Sequence, residues 1–243
     1  MKRLLLLIAT AFTATGLGTS QVLAQSVVDV NKKSDSEWIS YRDAYKLMVS
    51  FEKYGKAKHL IQNRFQVVVK DKATNFEHHR LSLNAKSSVM NLSLDALGQT
   101  QLPLLKAAYD ENAELNLSPK LSQFTYRSRV SIQLRTDGNY EVADLRAACK
   151  QTLTYMQYVE PSSVTGKKCV GIKFGFDKRD SNAGVEVRTP NQVNFGLPIT
   201  ENGLIWSDNV NSLRVVQFSF NGGTDKGHLL TRTTPIIIVA VIE

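Results

Sequence analysis

The amino-acid sequence predicts a mostly β chain with two amphipathic helices, an α+β fold built as two tandem, duplicated, antiparallel β-sandwich-like units each opened by one helix. Three observations carry this prediction. Apolar residues recur at helical spacing around 41–54 and 142–156, and several other stretches alternate apolar and polar residues with period two. The order of one helix followed by strands then returns about 100 residues further along. The expected divisions are a signal peptide over 1–24, a first helix-plus-sandwich unit over 25–136 and a second over 137–243.

Lys2 and Arg3 precede an apolar run over 4–12, and Val22-Leu23-Ala24 forms a small-residue cleavage pattern, so the chain reads as exported and cut after Ala24. The run is too short to remain as a spanning helix, and no later stretch reaches about 18 uninterrupted apolar residues. No cysteine stands at the cut to carry a lipid. The expected location is therefore the periplasm or the exterior. Residues 25–37 are polar and read as a loose lead-in.

Ser40 is placed to cap a helix, with Asp43 in the first turn, Ala44, Leu47, Met48, Phe51 and Tyr54 as its apolar stripe and Gly55 as its stop. Lys53, Lys56 and Lys58 gather at the end where the helix dipole favours cations. Period-two alternation then marks strands at 65–69, 80–84 and 90–94. Pro103 removes its neighbourhood from any central strand, and 104–109 reads as a short helical turn. A long strand follows over 124–134, with Tyr126, Val130, Ile132 and Leu134 on one line, and Asp137-Gly138-Asn139 turns the chain.

The second half repeats this order. Val142, Leu145, Cys149, Leu153 and Met156 form the stripe of the second helix, and strands follow at 169–176, 185–188 and 236–242. Asp177-Lys178 answers Asp71-Lys72, Met90-Asn91-Leu92-Ser93-Leu94 is matched by Val193-Asn194-Phe195-Gly196-Leu197, and Leu102 is matched by Ile205. Cys149 and Cys169, the only cysteines, fall on the apolar face of the helix and at the start of the next strand. In an oxidising compartment they are expected to form a disulfide, worth about 3 kcal/mol by loop-closure entropy.

Chemistry is sparsely signposted. His78-His79 beside Glu77 is an unsuitable metal pair, because adjacent residues of an extended strand point to opposite faces. Serine-hydrolase elbows, phosphate loops and zinc-protease helices are absent from the sequence, and Gly222-Gly223 reads as a turn. No metal, cofactor or catalytic residue is assigned. Lys173, Phe174, Lys178, Arg188 and Trp206 are the weak candidates for a ligand surface.

Removing 1–24 leaves 28 basic against 22 acidic residues, a formal charge of +6. That balance favours contact with anionic envelope material and by charge alone would serve nucleic acid equally well, while the scattering of the basic residues is what solubility by itself would produce; nucleic acid is not expected as the partner. The expected function is a non-enzymatic envelope binding or interaction protein, with an envelope protein or an anionic component as partner. The alternative is a periplasmic hydrolase using dispersed carboxylates such as Asp177, Asp180 and Glu186.

The export reading makes one direct prediction. Intact-mass measurement of the exported protein should give a chain starting at Gln25, and retention of Met1 would refute it.

Overall fold

The computed structural model describes residues 32–34, 38–69, 74–86, 88–119, 124–189, 194–220 and 226–243. The expected signal peptide and cut, most of the expected lead-in, Asp71, Lys72, Val193 and Gly222-Gly223 lie outside the described residues.

The first half contains β1 (Lys32–Ser34), β2 (Trp38–Ser40), α1 (Tyr41–Lys53), β3 (Ile61–Val68), β4 (Arg80–Asn84) and β5 (Val89–Ser93). It continues through β6 (Gln99–Thr100), α2 (Lys106–Asp110), β7 (Glu114–Ser118) and β8 (Phe124–Ile132). The second half contains β9 (Asn139–Glu141), α3 (Val142–Val159), α4 (Pro161–Val164), β10 (Cys169–Phe176), β11 (Val185–Arg188) and β12 (Asn194–Gly196). It ends with β13 (Ile199–Gly203), β14 (Leu213–Ser219), β15 (His228–Thr231) and β16 (Ile237–Ile242).

Local chemistry explains where the first helix starts and stops. The Ser40 hydroxyl accepts from the Asp43 N–H at 3.4 Å, and Lys58 Nζ donates to the carbonyls of Phe51 at 2.6 Å and Glu52 at 2.7 Å. Lys58 therefore satisfies the orphan carbonyls at the end of α1. The chain leaves the helix at Tyr54, one residue before the expected Gly55.

Eight strands form one antiparallel central sheet, ordered β13, β14, β10, β16, β8, β3, β6, with β1 beside β8. Two four-stranded sheets flank it, ordered β2, β7, β4, β5 and β9, β15, β11, β12. In each half the strands pair in the same sequence. The strand before the helix lies at one edge of the small sheet, and the strand after the helix lies inside the central sheet.

One expected correspondence fails. Leu102 joins the core of the first half, whereas Ile205 packs with Leu97, Leu213, Val215, Ile237 and Val239 in a separate cluster. The reason is an addition: β13 and the connection over 204–212 precede β14 in the second half, and no such hairpin precedes β6 in the first.

The halves also share a sheet, and residues of the first half join the core cluster of the second. β8 pairs with β16 at Ile132 and Ile238, which are 3% and 0% exposed. The last turn of α1 enters the second core: Tyr155 of α3 lies edge-on to Phe51 and to Tyr54, each at 5.1 Å. Gln151 of α3 accepts from the Leu60 N–H at 3.0 Å. Cys149 and Cys169 form the disulfide that ties α3 to β10, with Cα atoms 6.0 Å apart.

Cys149→Ala is expected to lower stability by about 2–5 kcal/mol in denaturant unfolding. Because Tyr155 holds Phe51 and Tyr54, hydrogen exchange should rise together in α3 and the last turn of α1. Unchanged protection in α1 would show that the halves uncouple.

Candidate functional site

The central sheet has two unlike faces. Phe65, Val67, Phe124, Tyr126, Ile172, Phe174 and Val216 point to the side covered by the helices and small sheets. Their neighbours in sequence point the other way, because side chains alternate along a strand. On this outer face Gln66 stands opposite both Gln99 and Arg127, Arg64 opposite Arg129, and Gln62 opposite Ser131.

The connection over 204–212 crosses this face as a strap. Lys173 Nζ reaches the Leu204 carbonyl at 3.5 Å, and Ile205 sits on Gly175, where an added Cβ would stand 2.8 Å from Ile205 Cδ1. Further along, Trp206 receives the Arg129 guanidinium at 4.6 Å from its ring centre. Asp208 Oδ2 accepts from both Arg127 Nη1 and Arg129 Nη2 at 2.5 Å. At the far end Asn211 donates to the carbonyls of Thr74 and Ala96, each at 2.8 Å, and accepts from the Thr74 N–H at 3.0 Å. A loop of the second half thus clasps the first.

Beneath the strap lies a buried polar row. Gln99 and Gln66 are each 1% exposed and Arg127 8%. The Gln66 amide is engaged at both ends, accepting from Arg127 Nε at 2.8 Å and donating to the Leu97 carbonyl at 2.9 Å. Arg127 Nη2, both side-chain polar atoms of Gln99, Asp95 Oδ2 and Asn209 Nδ2 have no hydrogen-bond partner among the described residues. A cavity of 10 Å³, lined by Gln66, Thr74, Leu97, Asn209 and Asn211, leaves room for about one water.

Burial and charge set the protonation of this site. Desolvation, then the neighbouring Arg129 charge, lower the Arg127 pKa to about 10, and Asp208 opposes them, so Arg127 remains a cation at neutral pH. Burial pushes Asp208 up, yet the charge and hydrogen bond of Arg129, with Arg127 behind them, hold its carboxyl below the ordinary 3.8. Asp95 is raised, chiefly by burial, against the N–H donors of Gln99 and Leu97 and the charge of Arg64.

The candidates expected from sequence are dispersed. Lys173 and Trp206 both belong to the outer face, Lys173 reaching the Leu204 carbonyl and Trp206 meeting the Arg129 guanidinium. Phe174 does not: at 0% exposure it is a core residue edge-on to Tyr140, since it alternates with Lys173. Lys178 is exposed on the turn after β10, and Arg188 is exposed at the end of β11 in a flanking sheet. Arg64, Gln66, Arg127, Arg129 and Asp208 were not expected. The one sequence signal that could have pointed to them is the period-two pair Arg127-Ser128-Arg129 within a strand, which sets two arginines on one face.

Other polar groups are engaged where they stand. Arg179 binds Asp177 and Glu77, the Thr233 hydroxyl donates to Asp180, and Arg232 donates to Glu186. His78 and His79 lie at the turn before β4 rather than within an extended strand, and His79 Nδ1 is 3.0 Å from the Asn75 carbonyl. Among the described residues no group of three or more His, Cys, Asp or Glu is placed to hold a metal ion, and no helix is long and apolar enough to cross a membrane. Comparison of the chain with protein-family models, curated proteins and solved structures finds no match.

Asp208→Asn should cost about 1–2 kcal/mol, less than the roughly 3–5 kcal/mol of a fully buried pair, because the aspartate side chain is 50% exposed. The lowered pKa fixes the sign of the pH effect. The carboxylate stabilises the fold above its unfolded value of 3.8 and loses that effect as pH falls through its lower folded value. Urea unfolding from pH 6 downward should therefore show a smaller acid loss in Asp208→Asn than in the parent, and identical acid limbs would refute the assignment.

Proposed function

We propose that this chain is an exported, non-enzymatic envelope protein, periplasmic or secreted, that acts by binding an envelope protein or an anionic envelope component. The observation that carries the reading is the strapped outer face, which gathers Arg64, Arg127, Arg129 and Lys173, with Asp208 bound between two of the arginines. Such a concentration of cationic side chains on one sheet face favours anions. The disulfide between Cys149 and Cys169 fits an oxidising compartment.

The same proposal takes the two halves, 25–136 and 137–243, as duplicated sandwich-like units. Its support is the repeated pairing order in the flanking sheets and on each side of the β8–β16 joint. The hydrolase alternative has no observation in its favour, since Asp177, Asp180 and Glu186 are each held by a separate structural partner.

The test is capture from an envelope extract by the mature, disulfide-bonded protein. Retention should weaken several-fold between about 0.05 and 0.5 M salt and with Arg64→Ser combined with Lys173→Ser. Hydrolysis of an envelope polymer that is lost in Asp180→Asn or Glu186→Gln would overturn the reading.

A further inference from the structure

Resting on that binding reading, we propose that Arg127 and Arg129 form a carboxylate site for an acidic peptide segment of a partner protein, with the chain's own strap as resident occupant. The juxtaposition that carries this is two guanidinium groups converging on the single oxygen Oδ2 of Asp208. Side by side on β8 and aimed at one point, they seat a carboxylate with charge-assisted hydrogen bonds.

The seat is incompletely filled. The Arg127 side chain is 10% exposed, and its Nη2 has no hydrogen-bond partner among the described residues. Asn209 on the strap is buried with its Nδ2 equally unpartnered, so the strap fits this face without satisfying it. Arg64, opposite Arg129 on the neighbouring strand, and Lys173 add positive charge on this face for a second acidic group. Leu204 and Val210 on the strap are 40% and 44% exposed, whereas Ile205 is buried, so the apolar hold on the strap rests on Ile205. The hairpin that carries the strap is also what the second half adds to the plan of the first, and such additions to a repeated scaffold often form its binding face.

Geometry selects a peptide over a membrane surface. Arg127 is 8% exposed beneath the strap, out of reach of a flat array of headgroups but reachable by a slender chain that displaces the strap. The present occupant is itself peptide: an aspartate two residues after a tryptophan whose ring covers the Arg129 guanidinium. A partner segment with an aromatic residue shortly before an acidic one has the same chemistry.

The probe is a labelled peptide carrying residues 204–211, compared with the same peptide bearing Asp208→Asn, by fluorescence anisotropy on the mature disulfide-bonded protein. Asp208→Ala and Trp206→Ala each loosen the strap by a different contact, so one reads the site if the other fails to fold in a thermal melt. Each folded variant should bind the acidic peptide at least about tenfold more tightly than the parent protein. The neutral peptide should not gain, and adding Arg129→Ala to either variant should abolish the gain. No gain in a folded variant, or an equal gain for the neutral peptide, overturns the site. So does an equal gain for vesicles containing phosphatidylglycerol, which would make the face a general cationic surface. If wild-type protein still captures envelope material in a salt-dependent way under those outcomes, the binding reading stands and only this site is wrong.

Discussion

The pairing of β8 with β16 at Ile132 and Ile238 is the joint on which the rest of the molecule depends. Both residues are buried, so this contact is set by the core as well as by backbone hydrogen bonding. Because the joint makes one sheet of two halves, the outer sides of β3, β8, β16, β10 and β14 form a continuous surface. Only such a surface allows a connection from the second half to cross onto arginines of the first. The inner side is continuous as well, which brings the end of α1 against α3.

The polar row under the strap is an expensive feature. Burying a guanidinium requires a compensating charge and full hydrogen bonding, and hydrophobic residues of similar volume often serve stability as well or better. Asp208 supplies the charge and Gln66 one acceptor, yet several buried polar atoms nearby remain without partners. Buried polar groups left part-satisfied are more costly than an apolar contact, and their concentration under one loop separates this region from the leucine-rich core on the inner face.

The disulfide and the strap act on different parts of the same joint. Cys149 and Cys169 fix α3 to the start of β10 on the helix-covered side. The strap clamps the opposite side through Asp208 and Asn211. One is covalent and independent of salt. The other rests on hydrogen bonds and partly exposed ion pairs, so of the two only the strap can be exchanged without breaking a bond.

Much of the secondary structure was determined by local chemistry in the sequence. Ser40 capped α1, the stripe through Val142, Leu145 and Cys149 gave α3, whose buried face then runs through Thr152 and Tyr155 rather than Leu153 and Met156, and the strands at Cys169–Phe176 and Val185–Arg188 followed from apolar runs and alternation. The cysteine pair was equally legible, since helix periodicity placed Cys149 on the packed face and one short loop brought Cys169 back to it. The short strands β2, β7, β9 and β15 of the flanking sheets were not legible, because strands of three to five residues are stabilised by their partners rather than by their own pattern. The site depended still more on tertiary structure. Alternation showed that Arg127 and Arg129 share a strand face, but an exposed face and a face covered by a loop have the same local pattern. Asp208 lies about 80 residues away in the chain, and only the β8–β16 joint brings its loop across the sheet to make those two arginines a site.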